Sequence, residues 1–306
     1  MSVRAAKSSP QPTSSWRKWA RLGAEVLRRI GPRRLAILAL VLGLLVAAYA
    51  RFVEPRRLEV THTRIVSPRL PRAMGQVRIA HLSDIHWREN RDGVLVARMV
   101  ELTNQQLPDL IVLTGDLVNA RHTGSLDPFG RLLGRLTAPL GVLAVLGGHD
   151  EEAGAEQVVA LLEENGIRVL RDEAVPLRIG RTVVWLLGLR DNSEKYVSPA
   201  ELVQSLPPGA RYILLAHSPD VALEADALKA GLVLSGHTHG GQLCLPLLGP
   251  LVVPSRFGRK FASGLVWQHE TPVYVSRGLG TTVLRARLLC RPEVAILDVQ
   301  GTANER

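Results

Sequence analysis

An alternation constrains this chain more than any other feature. Between residues 77 and 299, short apolar runs of β character recur, and helical patterns of ten to fifteen residues stand between several of them. The runs are 77–83 (VRIAHLS), 110–114 (LIVLT), 141–146 (GVLAVL), 182–188 (TVVWLLG), 211–216 (RYILLA), 231–235 (GLVLS), 272–276 and 293–299 (EVAILDV). Residues 58–66 add a candidate edge strand. Helical periodicity covers 92–106, with Asp92 at the N-cap and Val96, Met99 and Val100 facing inward. It also covers 128–137, 154–165 and 219–230. Strands without polar alternation are buried on both faces. The pattern therefore predicts an α/β fold with helices outside the sheet.

Polar residues collect where the strands end. SDIH follows the first run and gives Asp84 and His86; TGDLVN follows the second and gives Asp116. GGHD follows the third with His149 and Asp150, AHSPD the fifth with His217, and SGHTHGG the sixth with His237 and His239. In open α/β sheets, loops at the carboxyl ends of strands line the ligand crevice. Carboxylates mixed with neutral imidazoles suit Mn, Fe or Zn ions. One carboxylate can bridge two ions, and two ions ~3.5–4 Å apart can clamp a phosphoryl group and generate hydroxide near neutral pH. Glycines at 115, 147, 148, 236, 240 and 241 permit sharp turns and close approach of a phosphate. His62, His81, His122 and His269 have no such context and read as surface or core residues.

Asp84-x-His86, Gly115-Asp116, Gly-x-His149-Asp150, His217 and Gly236-His237-Thr238-His239 together resemble the calcineurin-like metallophosphoesterase superfamily. Two longer stretches, GHTHGGQLCLPLLGPLVVPS and YVSRGLGTTVLRARLLCRPEVAILDV, resemble its bacterial membrane-associated or exported phosphodiesterase branch. The resemblance spans roughly residues 58–300. It implies a four-layer α/β-β/α sandwich with two divalent ions at its rim. One ion would take Asp84, His86, Asp116 and His239; the other would share Asp116 and take His217 and His237. His149 would be no ligand but would lie over the phosphate and protonate the leaving oxygen. Asp150 would orient the loop or cap a turn.

One departure stands out. The family's loop reads Gly-Asn-His-Asp or Gly-Asn-His-Glu, with the Asn oxygen on the second metal, and here that place is Gly148. A water, the Gly148 carbonyl, Glu151, or Asn192 in GLRDN are the candidates to fill it.

The N-terminal region reads separately. Residues 1–57 hold 12 Lys+Arg and 2 Asp+Glu, whereas the remaining residues hold 26 of each, so the whole +10 belongs to this arm. A neutral body behind a basic arm argues against a nucleic-acid partner. Residues 35–50 (LAILALVLGLLVAAYA) carry no charge. As a helix they would span ~24 Å, short of a ~30 Å hydrocarbon core, with Arg34 and Arg51 placed to snorkel. The run reads as an uncleaved anchor or as an export signal, since Arg33-Arg34 precede it and Ala48-Tyr49-Ala50 resembles a cleavage site. Nine basic residues before it against three after put the N-terminus inside. The catalytic domain, 58–306, is then expected outside the cytoplasm, in the bacterial inner membrane or exported. Cys244 and Cys290 lack metal-motif spacing and read as small buried residues, or as one disulfide in an oxidising compartment.

The expected function is metal-dependent hydrolysis of a phosphodiester or pyrophosphate by a metal-activated hydroxide. The substrate would be a phosphorylated small molecule, a lipid-linked phosphate or an envelope polymer. The alternative, motivated by Gly148, is a mononuclear or inactive member that binds a phosphorylated ligand.

Overall fold

The computed structural model describes residue 19 and residues 31–89, 92–122, 124–191 and 198–304. Most of the basic arm, and Asn192, lie outside the described residues. The chain divides into two units at Tyr49/Ala50. The first carries α1 (Pro32–Ala48), in which no side chain is buried. Helical geometry continues to Arg56, giving a stretch of 25 residues that contains an 18-residue window of mean hydropathy 2.3. That is long and apolar enough to cross a membrane, and longer than the uncharged run alone implied. Its last turns belong to the body, where Ala50 and Glu54 are buried.

The second unit is built on two six-stranded sheets. The strands of the first are β1 (Glu59–Pro71), β2 (Gln76–Leu82), β3 (Leu110–Thr114), β4 (Val142–Val145), β5 (Arg168–Val169) and, from the far end of the chain, β14 (Glu293–Ala303). They lie in the order β1-β14-β2-β3-β4-β5. The second sheet uses β6 (Glu173–Ile179), β7 (Thr182–Gly188), β8 (Tyr212–Leu215), β9 (Leu232–Ser235), β12 (Gly264–Gln268) and β13 (Thr271–Val275), ordered β12-β13-β9-β8-β7-β6. A separate two-stranded ribbon pairs β10 (Cys244–Leu245) with β11 (Gly249–Pro250). β2, β3, β4 and β5 run parallel, as do β7, β8, β9 and β13.

Alternation along each strand explains the layering, because successive side chains point to opposite faces. Ala80, Leu82, Ile111 and Leu113 face the helices α2 (Gly93–Gln105), α3 (Asp127–Leu133) and α4 (Gly148–Glu164). Their neighbours Val77, Ile79, Leu110 and Val112 face Val184, Leu186, Ile213 and Leu232 of the other sheet. On the far side of that sheet, Leu187, Leu214 and Val233 pack under α5 (Pro199–Gln204) and α6 (Ala222–Ala227), through Leu202, Ala222 and Ala225. Helix, sheet, sheet and helix make the expected four-layer sandwich.

Several boundaries differ from the sequence pattern. Asp92 occupies the N-cap of α2, but its side chain makes no cap bond. It accepts instead from the Arg88 N–H at 2.9 Å and Arg88 Nε at 3.0 Å. α4 begins at Gly148, not at residue 154, and kinks at Gly154 where φ is 113°. Gly148, His149 and Asp150 therefore form a first helical turn, not an open loop. The helix expected at 219–230 is a 3-10 turn (Pro219–Val221) followed by the short α6. It stops because Lys229 takes a left-handed φ of 64°. β6 and β12 escaped the pattern because they are edge strands with mixed polarity, and β6 carries Pro176, which only an edge tolerates.

Candidate metal centre

The parallel strands aim their carboxyl ends at one crevice, and β2, β3, β4, β8 and β9 each deliver residues into it. The backbone there is unusual. Asp84, His86, Asp116, His237 and His239 all have φ between 48° and 70°. Non-glycine residues avoid this left-handed region at a cost of ~1–2 kcal/mol each, and such strain persists where surrounding structure enforces it. Two turns lie side by side to do so: the Asp84 N–H donates to Gly115 O at 3.0 Å, and the His86 N–H to Asp116 O at 2.9 Å. A third segment covers them, with the Leu279 N–H on Ser83 O at 3.1 Å and the Gly280 N–H on Asp84 O at 2.6 Å. Gly236 and Gly278 make this approach possible, since a Cβ at either would meet Asp84 atoms at 2.3 Å and 2.6 Å.

The side-chain donors converge. His86 Nε2 lies 3.0 Å from His239 Nε2 and 3.5 Å from Asp116 Oδ2. His239 Nε2 is 3.4 Å from Asp84 Oδ1. On the other side, His217 Nε2 is 3.2 Å from Asp116 Oδ2 and 3.3 Å from His237 Nδ1. Atoms bound ~2.1 Å from one ion lie ~3.0–3.4 Å apart, so these separations match the edges of a coordination shell. Asp84, His86 and His239 form one group whose ligand atoms all lie within 4.8 Å of one another; Asp84, Asp116 and His217 form a second. His217 is oriented for the task by its other nitrogen, which donates to Thr114 O at 2.7 Å and turns Nε2 toward Asp116. Among the described residues, His86 Nδ1 is buried without a partner. This donor set of carboxylates and imidazoles fits divalent Mn, Fe or Zn.

The electrostatics agree with a site built around positive charge. Burial pushes Asp84 up to about 6, helped by the neighbouring Asp116 carboxylate and opposed by His217. Burial also raises Asp116, but His217, His86 and His149 overcome it and hold the carboxylate well below its usual range. Burial brings His86 down to about 3 against the pull of Asp116. His217 moves the other way: burial lowers it, yet Asp116, Asp84 and Asp191 raise it well above its ordinary value.

His149 and Asp150 divide two tasks. The His149 N–H donates to Asp116 Oδ1 at 2.9 Å, and its Nδ1 accepts from the Ala120 N–H at 3.3 Å, so the proton sits on Nε2. His149 also falls within 4.8 Å of His86 and Asp116 donors. Asp150 is fully buried. It accepts from the Gly147 N–H at 3.0 Å and the Val118 N–H at 2.8 Å, tying the start of α4 to the turn after β3. Its carboxyl is pushed up to about 7 by burial and by Asp116. Gly148 lines the crevice, and a Cβ built there meets nothing within 4 Å. Among the described residues, Glu151 belongs to none of the groups able to hold an ion.

Sequence reasoning passed over two residues. Asp191, at the end of β7, groups with His217 and His237 within 4.8 Å. Its signal was its place after a strand, the rule that found the others. Arg287 is wholly buried; it bonds the carbonyls of Arg277 and Gly278 at 2.9 and 3.1 Å and approaches His239 Nδ1 at 3.4 Å. No local pattern marks a buried guanidinium held by carbonyls. Of the unplaced histidines, His81 is core and His62 and His269 are exposed. The cysteines are free thiols flanking Gly240: Cys244 Sγ lies 3.4 Å and Cys290 Sγ 3.7 Å from its carbonyl.

The calcineurin-like phosphoesterase family matches residues 77–241, which is more than half of the chain and contains every one of these ligand-type residues. The chain belongs to that family. It is 32% identical to the metallophosphoesterase YkuE of Bacillus subtilis over 83% of this chain and 90% of the relative. It is 30% identical to phosphodiesterase YaeI of Escherichia coli, over 82% and 92% of the two chains. It is 24% identical to the UDP-2,3-diacylglucosamine pyrophosphatase LpxG of Chlamydia muridarum, over 81% and 91%. This calcineurin-like chain is therefore a phosphoester hydrolase by family, with a crevice of about 590 Å³ at its candidate centre. Besides the polar residues of the centre, its lining has an apolar part made by Leu243, Leu251, Val252, Pro254, Val283 and Leu284.

Proposed function

We propose that this chain is a membrane-anchored phosphodiesterase or pyrophosphatase with two divalent ions, acting on a lipid-linked phosphate. The observation that carries the proposal is the convergence of Asp84, His86, Asp116, His217, His237 and His239 donors at 3.0–3.5 Å separations. Asp84, His86, Asp116 and His239 would hold one ion; Asp116, His217 and His237 the other. Bound there, the ions supply Lewis acidity towards a phosphoryl oxygen and acidify a water. The protein's own part is to fix the donors, exclude competing solvent and deliver a proton. His149 lines the crevice from the first turn of α4, and its Nε2–H would donate to the leaving oxygen.

The names of YaeI and LpxG, a phosphodiesterase and a pyrophosphatase, favour these bond types. The apolar part of the lining favours a substrate with hydrocarbon: Val252 is 73% and Val283 97% exposed, beside the candidate centre. The apolar helix ending at Ala48 would hold the body near such a substrate, outside the cytoplasm by the basic residues that precede it. The test uses the full chain in mixed micelles with Mn²⁺. Hydrolysis of a diacylated phosphodiester should exceed that of its water-soluble headgroup analogue, and Val283→Lys should erase the difference. Equal rates on both substrates in the wild type would reject the lipid assignment. No metal-dependent hydrolysis of either would reject the enzyme assignment.

A further inference from the structure

We propose that Asp191 supplies the side-chain oxygen that Gly148 cannot, completing the second ion site with Asp116, His217 and His237. The inference rests on the two-ion assignment and goes beyond it. A carboxylate oxygen of Asp191, a His217 ring nitrogen and a His237 ring nitrogen lie within 4.8 Å of one another. His217 Nε2 and His237 Nδ1, 3.3 Å apart, already mark the place where two lone pairs meet. Asp191 enters from the direction of the second sheet, whereas Gly148 enters from α4, and both line the same crevice. A vacancy on the α4 side is met by a carboxylate from the opposite strand end.

The root of the Asp191 turn is fixed. The Leu189 N–H donates to Leu215 O at 3.0 Å, continuing the β7–β8 pairing. The next residue, Arg190, donates its N–H and Nε to Asp172 at 2.9 and 2.8 Å. Arg190 is thereby turned to a different carboxylate and does not neutralise Asp191. Among the described residues Asp191 has no hydrogen bond or ion pair, and the groups its charge acts on are His217 and His237. A half-buried carboxylate within 4.8 Å of two imidazole nitrogens is a donor set suited to a divalent ion.

The space around Gly148 explains how the exchange is tolerated. A Cβ there meets nothing within 4 Å, so the position is not reserved for glycine by crowding. Gly147, by contrast, would place a Cβ 2.3 Å from Asp116 Oδ1. Replacing a neutral amide oxygen by a carboxylate adds one negative charge to the site. The second ion should then be held more by charge and less by dipole.

Metal binding tests this directly. The full chain in detergent, stripped and reloaded by equilibrium dialysis against Mn²⁺, is compared with Asp191→Ala, Asp191→Asn and the double variant Gly148→Asn/Asp191→Ala. Wild type should hold two ions and give the exchange-coupled electron paramagnetic resonance spectrum of an Mn²⁺ pair. Asp191→Ala should keep one tight ion, weaken the second ~10–100-fold, and show the six-line spectrum of isolated Mn²⁺. The amide in Asp191→Asn keeps one oxygen and should weaken the second ion less. Gly148→Asn in the Asp191→Ala background should bring back the coupled signal. Two equally tight ions in wild type and Asp191→Ala would remove Asp191 from the site and leave the two-ion assignment standing. Equal weakening of both ions would make Asp191 a general structural residue and overturn the proposal. A single ion in the wild type would overturn the two-ion assignment and this proposal together.

Discussion

Gly147 lies so close to Asp116 that position 147 has no room for a side chain. A Cβ at 147 would lie 2.3 Å from Asp116 Oδ1 and 2.5 Å from the Asp116 nitrogen. The same Asp116 Oδ1 accepts the His149 N–H. Gly147→Ala must therefore push the Asp116 carboxylate or the backbone of the neighbouring turn. Overpacking of this kind costs ~1–3 kcal/mol. The variant should unfold at lower temperature and bind Mn²⁺ less tightly. Gly148→Ala, one residue on, enters open space at a helical position and should be neutral or stabilising by up to ~1 kcal/mol. Thermal melts and metal titrations of both variants check the contrast. A tolerated Gly147→Ala with unchanged metal affinity would contradict the crowding.

Asp116→Asn separates charge from shape. The carboxylate stands within 3.5 Å of both His86 Nε2 and His217 Nε2, so in the proposed centre it is the group that would serve both ions. The amide is nearly isosteric and keeps an oxygen for the His149 N–H. Hydrolysis of a generic phosphodiester should fall below detection while the circular dichroism spectrum stays native. Turnover at the wild-type rate in the purified variant would remove Asp116 from the centre.

Acid should weaken the fold in part through a histidine outside the centre. His81 is fully buried between the sheets, bonded to Thr114 Oγ1 at 2.8 Å, and burial pushes it down to about 3. In the unfolded chain an imidazole titrates near ~6.5. Between these values the unfolded state binds a proton that the folded state refuses. Stability therefore rises with pH from about 3 to ~6.5 and is lost as pH falls through that window. At pH ~5 the loss attributable to this residue is about 2 kcal/mol. His81→Gln keeps a hydrogen bond for Thr114 and removes the titration. Urea melts at pH 5 and 7.5 should show a smaller difference for the variant than for wild type. Identical pH dependences would mean that His81 is protonated in the folded state after all.

How much of this was legible beforehand follows from what each element must hide. β3, β4, β8 and β9 are buried on both faces, so a continuous apolar run betrayed them. β6 and β12 each leave a flank to solvent and blend into loop composition. The start of α4 was invisible for a different reason: Gly147, Gly148 and Gly154 dilute the helical period where the chain needs close approach. The candidate ligands stood out because Asp and His at strand ends have few structural reasons to be there. Their left-handed backbone did not, since no residue pattern announces φ near 50° at an aspartate or histidine. Asp191 was overlooked because sequence does not say that it shares a crevice with Gly148, His217 and His237.

His149 remains the residue whose task is most sharply testable. Its ring sits 4.7 Å from that of His86, and its donors fall within reach of His86 and Asp116, so proximity alone would allow a ligand role. The hydrogen bonds argue otherwise. Nδ1 accepts from the Ala120 N–H, which leaves Nε2 protonated and unable to offer a lone pair. A protonated nitrogen lining this crevice can donate to an oxygen that gains charge as its bond to phosphorus breaks. His149→Ala should therefore lower kcat ~10²–10⁴-fold and leave the Mn²⁺ content nearly as in wild type. The loss should shrink for diesters whose leaving group is already a stable anion, because such a group needs little protonation. His149→Gln, which can donate a hydrogen bond but not a proton, should recover some activity on those activated diesters and little on alkyl ones. If His149→Ala instead lost metal in proportion to activity, and the deficit were the same for every leaving group, His149 would be a ligand and the proton donor would have to be sought elsewhere.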